Sequence, residues 1–261
     1  MAAPLPAEAG AVALTAQNVT IRFGGVVAVS GMALDAAPGE IVGLIGPNGA
    51  GKTTFVNCIC GTYRPNAGTA LWLGRELFGL SPHALLRLGV ARTFQNVASL
   101  HDLTVLDMAK LGAAARAGAG AGPGLGFFGS ERALEAELTE TLLRPLHLAD
   151  VAHAPLQVLP YGRRKAADLA RALAAQPQLL LLDEPVAGLT SQEGMAMAAV
   201  IRGVRDRLGC AVVMVEHKMD VVMSTCDRIA VMAAGSKIFE GLPDEVQSDP
   251  EVRRVYLGEP G

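Results

Sequence analysis

An α/β fold built around a buried, mainly parallel sheet is what this 261-residue sequence predicts, and three observations carry the reading. The first is a set of short apolar runs without polar alternation: Ile41 to Ile45, Leu179 to Leu182 and Ala211 to Val215. Such runs belong to strands covered on both faces, as in parallel sheets. The second is helical periodicity between and after them, clearest in Ala166, Leu169, Ala170 and Leu173 at i, i+3, i+4 and i+7. The third is Gly46-Pro47-Asn48-Gly49-Ala50-Gly51-Lys52-Thr53, which follows the first run directly and fits G-x-x-x-x-G-K-[ST]. A glycine-rich turn between strand and helix lets backbone N–H groups and the helix N-terminus point at phosphates. In that setting Lys52 reaches the β and γ phosphates, Thr53 ligates Mg²⁺, and Thr54 completes the nucleotide-binding run. The core expected is therefore that of a phosphate-loop (P-loop, RecA-like) nucleoside triphosphatase, with the nucleotide at the carboxyl ends of the strands.

Length and composition bound the alternatives. A chain of 261 residues suffices for one large domain or a core with a subdomain. Hydrophobic residues make up 51% and the mean hydropathy is +0.34, but small residues supply much of the excess. No apolar stretch approaches the roughly 20 residues needed to cross a bilayer, so a membrane role has to run through a partner. The opening MAAPLPAEAG lacks the basic start and apolar core of a signal peptide. Residues 1–12 read as a flexible N-terminus, and the expected location is cytosolic. A net charge of −3 and a pI near 6.0 provide no basic field for nucleic acid. Cys58 and Cys60 lie two apart on the helix expected after the phosphate loop, where neighbours face different ways, so they make a poor metal pair. With Cys210 and Cys226 they read as reduced, small core residues.

Along the chain, Ile229 to Phe239 differs from the buried runs: two apolar stretches flank Gly235-Ser236, as in a β-hairpin at the margin of the sheet. The stretch from Asn96 to Leu159 separates the two halves of the core and carries helical patterns, so it reads as an inserted helical subdomain. Inside it, residues 112–130 (GAAARAGAGAGPGLGFFGS) are rich in Gly and Ala and predict a mobile loop. Phe127-Phe128 is expected to pack back on the subdomain, the alternative being contact with a partner. The resulting plan is one domain over 13–261: a core in 13–95 and 166–240, a helical subdomain in 96–165, and a helical tail in 241–261. No internal repeat is visible, so the chain holds one nucleotide site's worth of sequence.

The run Leu179 to Leu182 ends in Asp183-Glu184-Pro185, which places two carboxylates where the sheet meets the nucleotide. Asp183 is suited to hold Mg²⁺, directly or through water, and Glu184 to take a proton from the attacking water. The run Ala211 to Val215 ends in Glu216-His217, and the imidazole lies where a γ-phosphate sensor is wanted.

These motifs, in order, resemble the ATP-binding-cassette (ABC) ATPases over nearly the whole chain, from Leu14 to Gly258. Further matches are Phe23, Gln95 in Arg92-Thr93-Phe94-Gln95, and Leu159-Pro160-Tyr161-Gly162-Arg163 in the place of the family signature. The resemblance implies an N-terminal antiparallel β subdomain and adenine stacking on Phe23. It implies that Gln95 joins Mg²⁺ and water to the transporter contact, and that Asp183, Glu184 and His217 act as metal ligand, general base and switch histidine. Phe23-Gly24-Gly25, Gly89 to Gln95, Tyr161-Gly162, Ala187-Gly188-Leu189, Glu216 to Met219 and Tyr256 to Glu259 are most similar to the ATPase subunits of branched-chain amino acid importers. Such a subunit binds ATP and Mg²⁺ at the cytoplasmic face of the membrane. It pairs with a second ATPase subunit beneath two permease subunits, is served by an extracytoplasmic solute-binding protein, and has no nucleic acid partner. The signature departs from the usual Leu-Ser-Gly-Gly-Gln: Pro160 removes a hydroxyl and Arg163 replaces an amide with a cation. Thr190 stands where many relatives have Asp or Asn. Two other readings compete, a soluble ATPase acting on nucleic acid or ribosomes and a regulatory subunit that binds nucleotide without hydrolysis.

Overall fold

The computed structural model describes residues 13–93, 102–118 and 131–257. Its centre is a six-stranded sheet in the order β10-β9-β3-β8-β7-β6. Its strands are β3 (Ile41–Ile45), β6 (Val90–Arg92), β7 (Leu179–Asp183), β8 (Ala211–Val215), β9 (Arg228–Ala233) and β10 (Ser236–Gly241). Every pairing is parallel except β9 with β10, the hairpin expected at the margin, whose turn residues Ala234 and Gly235 both have positive φ. That turn geometry matches the twist of the strands it joins.

The central strands are apolar throughout because both faces are covered. Ile41, Ile45, Leu180, Leu182, Val212 and Met214 enter one hydrophobic cluster, while Val42, Leu44, Leu179, Leu181, Val213 and Val215 enter the other. Alternate residues of one strand thus serve two cores, which the period of two in strand side chains requires. One face carries α5 (Tyr161–Ala174), α6 (Ser191–Leu208) and α7 (Met219–Thr225). The other carries α1 (Lys52–Ile59) and a second, antiparallel sheet in the order β2-β1-β4-β5, from β1 (Leu14–Phe23), β2 (Val26–Ala36), β4 (Ala67–Trp72) and β5 (Arg75–Glu76).

Between β6 and β7 lies the helical insertion, with α3 (Val105–Gly118), α4 (Glu131–Leu138) and a π-helical turn over Thr139–Leu143. The expected loop over 112–130 is corrected at its start, because residues 112–118 continue α3. Alanine is the strongest helix former, and Gly112 is where α3 meets α5: a Cβ there would lie 2.0 Å from the Arg171 carbonyl oxygen. The rest of that stretch, with Phe127-Phe128, lies outside the described residues, as do residues 1–12. The boundary drawn between 165 and 166 falls inside α5, whose continuous stripe of Ala166, Leu169, Ala170 and Leu173 joins subdomain to core. Beyond β10 the tail folds as α8 (Pro243–Ser248) and α9 (Pro250–Leu257).

Candidate nucleotide site

The phosphate loop leaves β3 at Ile45 and enters α1 at Lys52. Two of its glycines are required by space: a Cβ on Gly46 would meet the Met232 carbonyl oxygen at 2.2 Å, and one on Gly51, at φ +98°, the Ala28 carbonyl oxygen at 2.3 Å. Asn48 and Gly49 lie at the exposed crest, with Ala50 tucked beneath. The Lys52 ammonium donates to the carbonyls of Gly46 (2.7 Å) and Pro47 (3.0 Å), folding back across the mouth of the loop. Burial pulls its pKa below the ordinary 10.5, with Glu184 and then Asp183 opposing. Thr53 and Thr54 follow in the first turn of α1, both half-buried.

Asp183 closes β7 and is 1% exposed. Its Oδ2 accepts from Arg92 Nη2 at 2.7 Å, whereas its Oδ1 is buried and has no hydrogen-bond partner. Glu184 follows in left-handed backbone, φ +50°, and donates its N–H to the Val215 carbonyl at 2.9 Å. A non-glycine residue held in that region costs about 1–3 kcal/mol, and such strain concentrates at functional sites. Here the turn holds one acid in the strand end and swings the next outward, so that Glu184 Oε1 stands 3.9 Å from His217 Nδ1. That separation exceeds a hydrogen bond.

Glu216 has a role that the sequence did not disclose. Its carboxylate is fully buried and accepts the N–H groups of Val186 (2.9 Å), His217 (2.9 Å) and Lys218 (3.3 Å). It therefore pins the turn after Glu184 to the turn that carries His217, and the only signal was an acid at the end of an apolar strand. Tyr63 was missed as well: its ring meets Phe23 edge-on with centroids 5.2 Å apart, and both rings are more than a third exposed, forming an aromatic platform. α9 brings the tail to the loop, where burial pushes the Tyr256 phenol up to about 12 and the Gly46 backbone opposes.

The signature residues make their contacts elsewhere. Leu159 is buried, and Pro160 caps α5 at φ −53° and ψ 150° without a side-chain hydrogen bond. Tyr161 packs on Gly188, where a Cβ would lie 2.8 Å from the ring, and Gly162 faces Leu189. Arg163 pairs with Asp150 at 2.7 Å. One link from this helix to the acids is Lys165, whose ammonium donates to the Glu184 carbonyl at 3.3 Å. Thr190, the second departure, works as a helix cap: its hydroxyl accepts the Glu193 N–H at 3.3 Å and the Glu193 carboxylate accepts the Thr190 N–H at 2.9 Å. Gln95 lies outside the described residues. The four cysteines form no disulfide, and burial raises Cys58, Cys60 and Cys210 to about 11 and Cys226 to about 12, which suits inert thiols.

A strand, a glycine loop whose lysine spans its mouth, and two acids ending the parallel strand on the far side of β8 define a phosphate-loop nucleoside triphosphatase. Comparison with known proteins narrows this. Residues 29–187 match the family model described as ABC transporter, and residues 236–261 match one described as branched-chain amino acid ATP-binding cassette transporter. The chain is 36% identical to the high-affinity branched-chain amino acid transport ATP-binding protein LivG of Escherichia coli K12, over 94% of this chain and 98% of that protein. It is 35% identical to BraF of Pseudomonas aeruginosa, described in the same words, with the same coverage. Among solved structures, the ADP conformation of MJ1267, an ATP-binding cassette of an ABC transporter, aligns with a TM-score of 0.81 and 26% identity, covering 95% of this chain and all of that one. The chain belongs to the ABC transporter family and is an ATP-binding, ATP-hydrolysing subunit.

Proposed function

We propose that this subunit powers an importer of branched-chain or closely related amino acids. It would work at the cytoplasmic face of the membrane with a second ATPase subunit, under two permease subunits fed by a solute-binding protein. The match over the tail, together with near-complete coverage of LivG and BraF, supports the solute class. Among the described residues no helix is long and apolar enough to cross a membrane, so the pathway itself is assigned to the permeases. A groove lined by Leu85, Leu86, Val90, Ala91 and Ala115, with Arg92 and Arg171 as its cations, is mainly apolar and suits a permease segment.

One observation carries the site reading: Asp183 Oδ1 is buried, unpartnered, and adjacent in sequence to Glu184. An orphaned carboxylate oxygen is costly unless a ligand satisfies it. Among the described residues no cluster of His, Cys, Asp or Glu could hold a metal alone, which fits a cation completed by phosphate oxygens and water. Asp183, the Thr53 hydroxyl and Gln95 would hold Mg²⁺, which when bound orients and neutralises the phosphates. Lys52 would leave the loop carbonyls for the β and γ phosphates, while the amides of Gly49 to Thr54 cradle them. Phe23 would stack on adenine. Glu184 would accept the proton of the attacking water, and His217, facing it, would hold the γ-phosphate in place. Residues Leu159 to Arg163 would face the phosphates bound by the partner subunit.

The test is transport. Inactivating this chain in cells should abolish energy-dependent uptake of labelled leucine, isoleucine and valine. Intact uptake of all three, with loss of amide or urea uptake, would assign the machine to a different solute.

A further inference from the structure

Arg92 stands at the end of β6, the edge strand beside β7, and is 18% exposed while its partner Asp183 is fully enclosed. Its guanidinium forks: Nη2 donates to Asp183 Oδ2 at 2.7 Å, and Nη1 donates to Asn57 Oδ1 at 2.5 Å. Asn57 belongs to α1, the helix that the phosphate loop opens. The Arg92 carbonyl in turn accepts from Arg171 Nη2 at 2.8 Å, and Arg171, on α5, pairs with Asp168 at 2.8 Å. One side chain therefore ties together the strand that ends in the acids, the helix after the phosphate loop and, through its own backbone, the helix that begins at the signature. Arg92 and Arg171 also line the groove described above.

From this geometry we infer that Arg92 is a positioning residue for the metal-facing carboxylate: by holding Asp183 Oδ2 it fixes the rotation that aims the unpartnered Oδ1 at the Mg²⁺ position. The inference rests on the reading of Asp183 as a metal ligand. The rigid fork of Arg suits this task, since two donors in one plane set a direction that a point charge cannot. A buried ion pair of this kind adds little net stability, but a hydrogen bond to the far oxygen of a ligating carboxylate orients the near one. Two effects of opposite sign compete here. Removing the cation would strengthen the attraction of Asp183 for Mg²⁺, whereas freeing the carboxylate to rotate would weaken it. The inference states that orientation dominates.

The experiment is nucleotide titration by calorimetry on the full chain, with ATP in Mg²⁺ and in EDTA, and the readout is the ratio of the two affinities. Asp183→Asn sets the reference and tests the metal-ligand reading itself: if it leaves the ratio unchanged, that reading fails. Given a response there, Arg92→Gln should lower the ratio about tenfold or more, as loss of such supporting partners does, while affinity in EDTA stays within about twofold. Arg92→Lys, which keeps the charge and loses the fork, should lie between. An unchanged or increased ratio in Arg92→Gln would overturn the inference. So would equal losses in Mg²⁺ and EDTA, which would mark a purely structural role. Should Arg92→Gln fail to fold, Asn57→Ala removes the second anchor of the same guanidinium and should lower the ratio about threefold, and no change there would overturn the inference too.

Discussion

Under the proposed function two helix N-termini, at α1 and at α5, would face phosphate, and the two differ in what surrounds the free amides. At α1 the glycines bring backbone against backbone, and one buried lysine stands ready while bonded to loop carbonyls. At α5 the first residues are Tyr161, Gly162, Arg163, Arg164 and Lys165, preceded by a proline that offers no capping hydroxyl. Cations in a first turn oppose the helix dipole, which favours negative charge there. Some of that repulsion is diverted: Arg163 pairs with Asp150, and Arg164 and Lys165 both sit 5.6 Å from the Tyr161 ring centroid. The first terminus would serve a nucleotide bound by this chain. The second would serve another subunit's phosphates, and its cations already have partners within this chain.

If the α1 side holds the catalytic half, removing its base gives the largest effect. Glu184→Gln keeps the shape of the side chain and cannot accept a proton, so turnover at that site should fall about 10²- to 10⁴-fold while ATP still binds. Phosphate release by the assembled complex measures the first, calorimetry the second. Hydrolysis within a few-fold of the parent would remove Glu184 from its assigned role.

Lys52→Ala comes next. The loss of charge-assisted bonds to phosphate, about 1.5–3 kcal/mol, should weaken ATP binding at least tenfold with little change in melting temperature. Among the described residues Lys52 hydrogen-bonds the loop's own carbonyls alone, and burial lowers its pKa, so the fold gains little from it. Unchanged affinity would break the contrast between the two termini at its stronger end.

A third pair of variants compares the termini by stability. Gly51→Ala forces a Cβ to within 2.3 Å of a backbone oxygen at positive φ and should destabilise the protein by about 1–3 kcal/mol in urea denaturation. Gly162→Ala meets side chains rather than backbone, Leu189 at 3.1 Å and Glu193 at 3.6 Å, and should cost under about 1 kcal/mol. Equal losses would mean that the two loops are equally constrained.

How much of this was legible in the sequence follows from the range of the interactions. The central strands were, because burial on both faces leaves an uninterrupted apolar run, and so was the phosphate loop, because its turn cannot be made without glycine. The start of residues 112–130 was not: an Ala-rich stretch reads alike as helix or linker until Arg171 is seen against Gly112. The support around Asp183 was invisible for a similar reason. Arg92 lies 91 positions from Asp183 and 35 from Asn57, and only the parallel pairing of β6 with β7 brings them together. Glu216 looked like the neighbour of a histidine, and its three backbone hydrogen bonds become apparent only when the turn after Glu184 folds over it.

The smallest effect, and the one that sharpens the comparison most, concerns the α5 end. If Pro160 and Arg163 make this chain a weak donor of the signature, the paired sites in an assembled transporter with a different partner ATPase are unequal. Lys52 and Glu184 then work with the partner's signature, and the partner's own phosphate loop faces the weak one. Silencing the first site with Glu184→Gln isolates the second, and Pro160→Ser with Arg163→Gln in that background supplies a hydroxyl and removes the competing cation. A hydrogen bond to a charged phosphate contributes about 1.5–3 kcal/mol, part of it lost to the changed cap, so turnover should rise severalfold. Asp150→Asn separates the two causes. It frees Arg163 from its 2.7 Å ion pair without touching the helix cap, and it should raise turnover if the freed cation can turn to phosphate. A gain from Asp150→Asn alone would make Arg163 a ligand restrained within its own subunit. No gain from either change would mean that the amides and dipole of α5 already suffice, and that the two termini, however differently furnished, serve phosphate equally well.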